Sequence, residues 1–553
     1  MKKYLSLGLF CLITLLVSTT ASQAQRTKFT RQDSLKGSIT PERAWWDLQY
    51  YHLKLQVFPD KKAIAGSNLI RYKVVKASKR MQIDLQEPLK LTKALQNGKN
   101  IKFSREGNVY WLDLPPQKKG SIAEVTVFYE GIPTIATRPP WDGGFVWGRD
   151  KNNNHYITEA CQGEGASLWW PCKDHPEDEP DKGMMISVTV PENLMDVSNG
   201  RLVKTDHDKA KKTKTYHWEV KNPINNYGVN INIGDYGHFS EVYKGEKGKL
   251  TCDYYVLKYN LERAKKQFKQ APKMLKAFEH WFGPYPFYED GFKLVEVSYL
   301  GMEHQSSVTY GNKYQNGYLG SDLSRSSWGL KFDFIIIHEA GHEWFANNVT
   351  HKDVADMWVH EGFTAYSENL YLDYHYGKEA SRAYVLGTKA NIRNDRPIIG
   401  TYNVNNKGSG DMYYKGANIL HMIRTMIDND KKWRKVLRGI NKEFYHQTVT
   451  TQQIENYIAK KIRLKLAKFF DQYLRTTKIP NLEYKFKGNE LMYRFSNCVK
   501  GFTMKIRADV SGKKQWLTPT EKWQSVKLKS SDTKFKTFVV DADFYVKPKQ
   551  ITK

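Results

Sequence analysis

Cysteine is scarce in this sequence, and no long hydrophobic run occurs after the first 25 residues. Five cysteines in 553 residues exclude a small disulfide-rich scaffold. One of them, Cys11, lies in the N-terminal leader described next. The other four, whose spacing matches no metal cluster, allow three disulfide pairings. Free buried thiols are favoured at least as much, because a chain of this length needs no covalent staples. These four are Cys161, Cys172, Cys252 and Cys498.

The one long apolar run lies at the N-terminus and is typical of a secretory signal peptide. Two lysines precede the run Leu5–Val17, and Ser22-Gln23-Ala24 places small residues where a signal peptidase cleaves. The sequence therefore predicts a signal peptide over residues 1–24. The alternative is an uncleaved anchor, for which the run is short. Cleavage predicts a periplasmic or secreted protein with no stable membrane insertion.

Acidic residues are few relative to basic ones, at 58 against 86, which gives a formal net charge of +28. Removal of the two leader lysines leaves about +26. An excess of this sign attracts anionic surfaces or acidic peptides. The lysines are scattered, however, and no nucleic-acid-binding motif concentrates them. We therefore prefer a solvated basic surface, and we expect no nucleic-acid partner.

The residue pattern changes twice along the chain, which predicts a multidomain α+β fold. Strand-like alternation dominates 25–240, as in Tyr51 to Val57, and indicates a β-sandwich or saddle-like domain. An α-rich domain follows over 241–482, and alternation returns over 483–553 as a small β domain. Within the middle domain a strand is predicted at 293–297. Helices are predicted at 261–281, 332–347, 358–374, 417–427 and 451–462.

The segment from His338 to His342 carries the strongest chemical signal. Two histidines four residues apart project from one face of a helix, so their imidazoles can meet at one metal ion. Glu339 lies one residue along, where it can contact a water at the metal without binding the metal. The preceding apolar run indicates that this helix is buried, and buried histidines need partners.

A third metal ligand is predicted at Glu361, which is separated from His342 by eighteen residues and lies at the start of another helix. Two histidines and one carboxylate leave a fourth position for water, which is the catalytic pattern for zinc. Glu368 lies on the same helix face and could orient a ligand from behind. His351 and His360 are rival ligands. On a helix His360 points about 100° away from Glu361, so it is not favoured.

With these residues in place, the sequence resembles the M1 family of zinc aminopeptidases. The family pattern is the His-Glu pentad, eighteen residues, and then a glutamate in a Trp-x-x-Glu-Gly setting, as in Trp358 to Gly362. The resemblance implies one zinc ion per chain and a thermolysin-like catalytic domain behind an N-terminal β-saddle domain. Many members also have a large C-terminal helical domain, which this sequence lacks.

The segment from Tyr299 to His304 resembles the family's Gly-x-Met-Glu-Asn motif, whose glutamate binds the substrate α-amine. That role would fall to Glu303, with Tyr299, Gly301 and Met302 beside the substrate. Two positions depart from the family pattern, because Leu300 replaces the first glycine and His304 replaces the asparagine.

Two more segments extend the resemblance. Met412 to Ala417 resembles a Tyr-x-Lys-Gly segment whose tyrosine donates to the tetrahedral intermediate, a role that selects Tyr413 rather than Tyr414. From the residues alone both tyrosines read as packing aromatics. The segment 162–176 resembles a pre-catalytic stretch in which Gln162 would help to hold the substrate amine.

The resemblance implies a metallo-aminopeptidase that acts on peptides with a free N-terminus. Glu339 would be the general base, and Tyr413 would donate to the oxyanion. A thermolysin-like endopeptidase and an epoxide hydrolase of the same fold are alternatives that share the metal site. A catalytically inactive binding module is an alternative from another class, against which the complete set of site residues argues.

Overall fold

The computed structural model describes residues 28–528 and 536–552. The predicted signal peptide and its cleavage site lie outside these residues. Within the two described ranges, no helix has both the length and the apolar character needed to cross a bilayer.

The N-terminal domain is built mainly from strands. Two short helices, α1 (Arg31–Gly37) and α2 (Pro41–Ala44), precede them and were not expected from the sequence. The strands are β1 (Trp46–Phe58), β2 (Ala63–Val74), β3 (Ser78–Asp84), β4 (Lys90–Gln96), β5 (Lys99–Asn100), β6 (Lys102–Glu106), β7 (Val109–Gln117), β8 (Ile122–Gly131), β9 (Gly144–Arg149), β10 (His155–Ala160), β11 (Met184–Pro191), β12 (Met195–Ser198), β13 (Arg201–Asp208), β14 (Thr213–Val220) and β15 (Ile231–Gly234).

These strands form an eight-stranded sheet and two smaller ones. The large sheet has the order β13-β14-β11-β1-β2-β8-β4-β5, and the smaller sheets are β12-β15-β10-β9 and β3-β7-β6. Strand β1 pairs parallel with β11 and antiparallel with β2. Leu53, Leu55 and Val57 are buried on one face of β1 while Lys54 and Gln56 are exposed, which confirms the predicted alternation.

The middle domain combines a five-stranded sheet with most of the helices. Its sheet has the order β16-β17-β18-β20-β19, and β21 pairs with β22. Its elements are β16 (Tyr236–Gly245), β17 (Gly248–Leu257), α3 (Leu261–Gln267), α4 (Gln270–Phe282), β18 (Phe292–Glu296), β19 (Gly301–Met302), β20 (Val308–Tyr310), α5 (Phe334–Gly341), β21 (Val349–His351), α6 (Trp358–Tyr376), α7 (Lys378–Lys389), α8 (Tyr414–Ile427), α9 (Asp430–Glu443), β22 (Gln447–Val449), α10 (Thr451–Ile462) and α11 (Ala467–Leu474). Because β16 belongs to this sheet, the middle domain begins a few residues before the predicted boundary at 240.

Two of the predicted helices are interrupted. The helix expected over 261–281 is split into α3 and α4. The helix expected over 332–347 ends at Gly341 and continues as a π-helical segment, Glu343–Asn348. Within that segment Phe345 has φ −131° and Ala346 has φ 156°, so the backbone leaves helical geometry. The prediction of a continuous helix was therefore wrong in both places.

The last part of the described chain is β structure, as predicted, and it forms two small sheets. Its strands are β23 (Asn481–Lys487), β24 (Glu490–Ser496), β25 (Ile506–Val510), β26 (Lys513–Leu517), β27 (Gln524–Lys527), β28 (Phe538–Val540) and β29 (Lys547–Gln550). The sheets have the orders β27-β24-β23-β29 and β26-β25-β28. Leu482, Leu491 and Phe495 belong to the same hydrophobic core as the middle domain, whereas the N-terminal domain has a separate core. The whole is a multidomain α+β fold.

Candidate active site

The start of helix α5 is fixed by a buried aspartate. Asp333 is the N-cap residue, and its Oδ1 accepts the backbone N–H groups of Ile335 and Ile336 at 3.1 and 3.4 Å. Tyr310 donates its hydroxyl to Asp333 Oδ2 at 2.7 Å, and Asn312 donates to Oδ1 at 2.8 Å. The cap therefore ties α5 to the central sheet, which sets the direction in which its histidines project.

His338, His342 and Glu361 converge as the spacing predicts. Glu361 Oε2 lies 3.8 Å from His338 Nε2 and 3.3 Å from His342 Nε2. One ligand atom from each residue lies within 4.8 Å of the others, and all three side chains are buried. Helix α5 supplies both imidazoles, and the first turn of α6 supplies the carboxylate.

This donor set fits a zinc ion. Glu361 Oε2 is buried and has no hydrogen bond within the described chain, which is costly for a carboxylate unless a cation compensates. His338 donates its Nδ1–H to Glu368 Oε1 at 2.8 Å, and His342 Nδ1 lies 3.0 Å from the Phe345 carbonyl. Both Nε2 atoms are thus left as acceptors that face Glu361, the arrangement that metal-binding histidines adopt.

The backbone irregularity after α5 contributes to this arrangement. Because Phe345 leaves helical geometry, its carbonyl turns toward His342 instead of continuing a helix ladder. Thr364 on α6 also contacts this pair, with its Oγ1 at 3.0 Å from His342 Nδ1. The kink that sequence patterning missed therefore fixes the orientation of one ligand imidazole.

Glu339 faces the same cavity as the metal set. The cavity has a volume of about 570 Å³, and its lining includes Glu303, Glu339 and Tyr413. One carboxylate oxygen of Glu339 lies within 4.8 Å of ligand atoms of Glu303 and His342. Burial raises the pKa of Glu339 to about 7, and the nearby imidazole of His338 opposes this rise.

Glu303 receives hydrogen bonds from two sides. Gln162 donates its Nε2 to Glu303 Oε1 at 2.6 Å, and Tyr227 donates its hydroxyl to the same oxygen at 3.2 Å. Gln162 also lies 3.2 Å from Glu361 Oε1. The structure thus brings Gln162 and Glu303 together as expected. Tyr227 was missed, because a single tyrosine in a loop 76 residues away carries no sequence signal.

Tyr413 stands beside the metal set at the start of α8. Its ring stacks near His338 with a centroid distance of 6.0 Å, and both it and Tyr414 line the cavity. The position depends on two glycines, because a Cβ added to Gly416 would lie 2.7 Å from Gly362 Cα. The N-terminal turns of α6 and α8 can touch only because neither residue has a side chain.

Gly301 and Met302 line the cavity, and Leu300 does so as well. Gly301 has no room for a side chain, because a Cβ there would meet Ile335 Cγ2 at 2.6 Å. Tyr299 differs from its prediction: it is buried outside the cavity lining and donates its hydroxyl to the Glu159 carbonyl at 2.8 Å. It packs in one cluster with Met302, which does line the cavity.

His304, which departs from the family motif, faces Glu159 in the interior. Its Nε2 lies 3.8 Å from Glu159 Oε1, and both side chains are fully buried. Burial lowers the pKa of His304 to about 3 and raises the pKa of Glu159 well above its usual value, so both groups are neutral. His304 Nε2 and both carboxylate oxygens of Glu159 have no hydrogen bond within the described chain, so the two side chains face each other without a direct bond.

The rival histidines lie apart from the metal set. His360 Nε2 accepts the backbone N–H of His351 at 2.8 Å, and the two rings are 4.0 Å apart. Neither residue belongs to the groups of side chains in the described chain that could hold a metal ion together with His338.

Two family models match this chain. Residues 48–227 match the peptidase M1 N-terminal domain, and residues 266–473 match the peptidase family M1 domain. The protein belongs to the peptidase M1 family. It is thus an M1 metallopeptidase with a His338, His342 and Glu361 candidate metal site, in which the large C-terminal helical domain is absent from the described residues.

Curated relatives of this M1 metallopeptidase are distant. Leukotriene A-4 hydrolase of Xenopus laevis is 24% identical over 446 residues, which cover 76% of this chain and 68% of that protein. Leucyl aminopeptidase of Saccharolobus solfataricus is 23% identical over 65% of this chain and 45% of its own length. Endoplasmic reticulum aminopeptidase 1 of Mus musculus is 25% identical over 54% of this chain and 33% of its own length. The chain therefore spans less than half the length of the latter two.

Solved structures share the fold of this M1 metallopeptidase. A point mutant of an M1 zinc metallopeptidase from Deinococcus radiodurans, bound to a Tyr-Ser-Ala substrate, has a TM-score of 0.68 at 20% identity. The match covers 81% of this chain and 98% of that one. A point mutant of a two-domain M1 zinc metallopeptidase, bound to L-tryptophan, has a TM-score of 0.65 at 20% identity, over 78% and 96%.

Proposed function

We propose that this protein is a zinc-dependent aminopeptidase that hydrolyses the first peptide bond of peptides with a free N-terminus. The placement of Glu303 supports this most. Its carboxylate lies within 4.8 Å of ligand atoms of Glu339 and His342. A carboxylate in a buried cavity pairs well with a substrate α-ammonium group. An amine held there would place the first peptide bond of the substrate beside the metal set.

Each remaining side chain has a defined task in this proposal. Zinc at the candidate site would activate water and polarise the scissile carbonyl. Glu339 has no hydrogen-bond partner within the described chain and faces the cavity, so it can accept the proton of the attacking water and pass it to the leaving amine. Tyr413 donates to the oxyanion. Gln162 and Tyr227 keep the Glu303 carboxylate oriented.

A panel of aminoacyl amides, each free and N-acetylated, tests this function. We expect cleavage of the free-amine substrates only, its loss with a chelator, and its return with zinc. Comparable cleavage of the N-acetylated substrates would instead indicate an endopeptidase. One zinc ion per chain without turnover of any substrate would indicate a binding module.

Substitution of Glu303 tests the amine contact directly. Glu303→Ala should lower kcat/KM for free-amine substrates by about two orders of magnitude, since loss of a buried charged contact costs about 3 kcal/mol. Glu130→Gln, on the exposed surface of β8, is the matched control and should leave the kinetics unchanged. Unaltered activity of the Glu303 variant would contradict the proposed contact.

We also propose that the protein is exported, on the strength of the residues 1–24. Expression of the full chain in a bacterial host should give a protein that begins at Gln25 in the periplasmic fraction. Recovery of the intact N-terminus in the membrane fraction would show an uncleaved anchor instead.

A further inference from the structure

The active-site cavity continues into a second, larger cleft. Trp141, Leu323 and Tyr414 line both spaces, whereas Gln162 and Glu303 line the first but not the second. The cleft has a volume of about 1180 Å³. It therefore opens from the part of the cavity that lies away from the amine-binding side chains.

Three arginines from separate segments line this cleft. Arg138 follows β8, Arg325 precedes α5, and Arg393 follows α7. All three are exposed, and none of their guanidinium groups has a hydrogen bond or an ion pair within the described chain. Unpaired guanidinium groups offer planar pairs of N–H donors that match a carboxylate.

The acidic residues of the cleft are already engaged by their neighbours. Asp411 accepts the backbone N–H groups of Arg393 and Asn394 at 2.8 and 2.5 Å. Asp395 accepts the Ser409 hydroxyl and lies 3.5 Å from Arg396.

Asp322 is occupied in the same way. Its Oδ1 accepts the backbone N–H and the hydroxyl of Ser324 at 2.8 and 2.6 Å, and its Oδ2 is buried out of reach of solvent. Within the described residues, each of the three carboxylates in the cleft thus has at least one oxygen bonded within the chain, whereas the three guanidinium groups keep all their N–H donors for a ligand.

A bound peptide has a defined direction if the proposed aminopeptidase function holds, and this inference rests on that function. With its amine at Glu303 and its first bond beside the metal set, the rest of the peptide leaves on the other side. An extended chain advances about 3.3 Å per residue. The residues that follow the scissile bond are thus led past Trp141, which is 67% exposed, toward the arginines.

We propose that this cleft is a carboxylate-binding subsite that selects peptides with a negative charge shortly after the cleaved bond. Arg138, Arg325 and Arg393 bind the carboxylate, and Trp141 covers the peptide between the two spaces. The carboxylate has two possible sources, namely the C-terminus of a tripeptide or an acidic side chain in a longer peptide. Neither source is needed for the chemistry at Glu339, so the subsite sets substrate choice alone.

Four peptides distinguish the two sources. Leu-Ala-Ala is compared with its C-terminal amide, and Leu-Ala-Glu amide is compared with Leu-Ala-Gln amide. In each pair we expect kcat/KM to be about tenfold higher for the peptide with the extra carboxylate, because one hydrogen bond to a charged group contributes about that much. The ratio of the two kcat/KM values should fall as salt is added, because salt screens the attraction. A preference in only the first pair identifies the C-terminus as the ligand, and one in only the second pair identifies the side chain.

The triple variant Arg138→Gln, Arg325→Gln, Arg393→Gln should bring both ratios close to one. The ratio is taken within each variant, so differences in folding or zinc content cancel. The triple variant Lys54→Gln, Lys79→Gln, Lys118→Gln removes equal charge from exposed positions of the N-terminal domain and should keep the wild-type ratios. Ratios of one in the wild type, or unchanged ratios in the arginine variant, would overturn the proposal.

Failure of the proposed function has a different signature. If no free-amine substrate is cleaved, the aminopeptidase proposal fails. Calorimetric binding of the same four peptides then still measures the preference for a carboxylate. Equal affinity within both pairs would refute the subsite independently of turnover.

Discussion

The orientation of the His338 imidazole depends on Glu368, a carboxylate that is not one of the predicted metal ligands. Glu368 accepts the His338 Nδ1–H at 2.8 Å and receives the Tyr384 hydroxyl at 2.7 Å. Replacement of Glu368 by Gln should weaken zinc affinity by about 10- to 100-fold, because the orientation and basicity of His338 are lost. Competition with a chromogenic chelator measures this. Tyr384→Phe removes only the hydrogen bond from Tyr384 to Glu368 and should weaken zinc affinity less. Equal zinc affinity in the wild type and both variants would contradict this role of Glu368.

Replacement of Glu339 by Gln separates metal binding from proton transfer. The three ligand side chains are untouched, so zinc content measured by atomic absorption should equal that of the wild type. Turnover of free-amine substrates should fall by at least about a thousandfold, because the amide cannot accept a proton. Near-normal kcat in this variant would show that another group is the base.

The residues of the site differ in how far they could be predicted from the sequence. The shared direction of His338 and His342 follows from helix spacing, since the period of a helix places them on one face without knowledge of the fold. Glu361 lies on another helix and was predicted from its separation from His342, but its convergence depends on the packing of α6 against α5. Gln162 and Tyr413 needed the family resemblance, because long-range packing brings them to the cavity. Tyr227 could not be predicted by either route, since the N-terminal domain delivers it to Glu303 through a loop.

At the scale of elements, the contact between α6 and α8 decides where Tyr413 stands. Gly416→Ala places a Cβ 2.7 Å from Gly362 Cα, so the two helices must separate. We expect a loss of about 1–3 kcal/mol in the free energy of unfolding and a lower kcat, because small displacements at a catalytic group are costly. Denaturant unfolding and steady-state kinetics measure the two effects.

Gly410→Ala is the matched control for this contact. It lies three residues before Tyr413, and a Cβ there would meet nothing within 4 Å. Both stability and kcat should stay near the wild-type values. A similar loss in both glycine variants would mean that the segment before α8, and not the contact with α6, is what matters.

The elements were predictable where periodicity is regular. Helix α10 has its predicted bounds, and β18 is displaced by one residue from the strand expected at 293–297. The break after α3 had a signal that the helix pattern overrode, because Pro272 has no N–H and its ring crowds the carbonyl of Phe268. The break after α5 was not predictable, because the apolar residues Trp344, Phe345 and Ala346 continue through it. At the second break, the carbonyl of Phe345 leaves the helical hydrogen-bond pattern and contacts His342 Nδ1 instead.

At the scale of the whole molecule, a neutral acid joins the first two domains. Glu179 lies between β10 and β11 in the N-terminal domain and accepts the hydroxyl of Thr350, on β21, at 2.8 Å. Burial raises the pKa of Glu179 to about 8, and Asp178 adds to the rise. Because this carboxyl group holds its proton more tightly in the folded protein than in the unfolded chain, it contributes to the free energy of unfolding. The contribution is complete below pH 4.5, the pKa in the unfolded chain, and is lost as the pH rises through the folded pKa of about 8.

Glu179→Gln should therefore change how stability depends on pH. Near pH 5 the variant should resemble the wild type, because an amide oxygen can also accept from Thr350. Near pH 9 the variant should be the more stable protein, since each unit of pKa shift corresponds to about 1.4 kcal/mol. Denaturant unfolding across this range measures the difference. Parallel curves for the two proteins would show that Glu179 ionises as freely when folded as when unfolded.

The accessibility of the thiols has a practical consequence for measuring motion between the domains. Cys161, Cys172 and Cys252 are free and buried, whereas Cys498 is free and half-buried in the C-terminal sheets. Among the described cysteines a maleimide dye would thus attach first to Cys498. Burial raises the pKa of that thiol to about 11, so coupling would be slow at neutral pH and faster in mildly alkaline buffer. A fluorophore attached there would report on the C-terminal sheets without any cysteine being added to the chain.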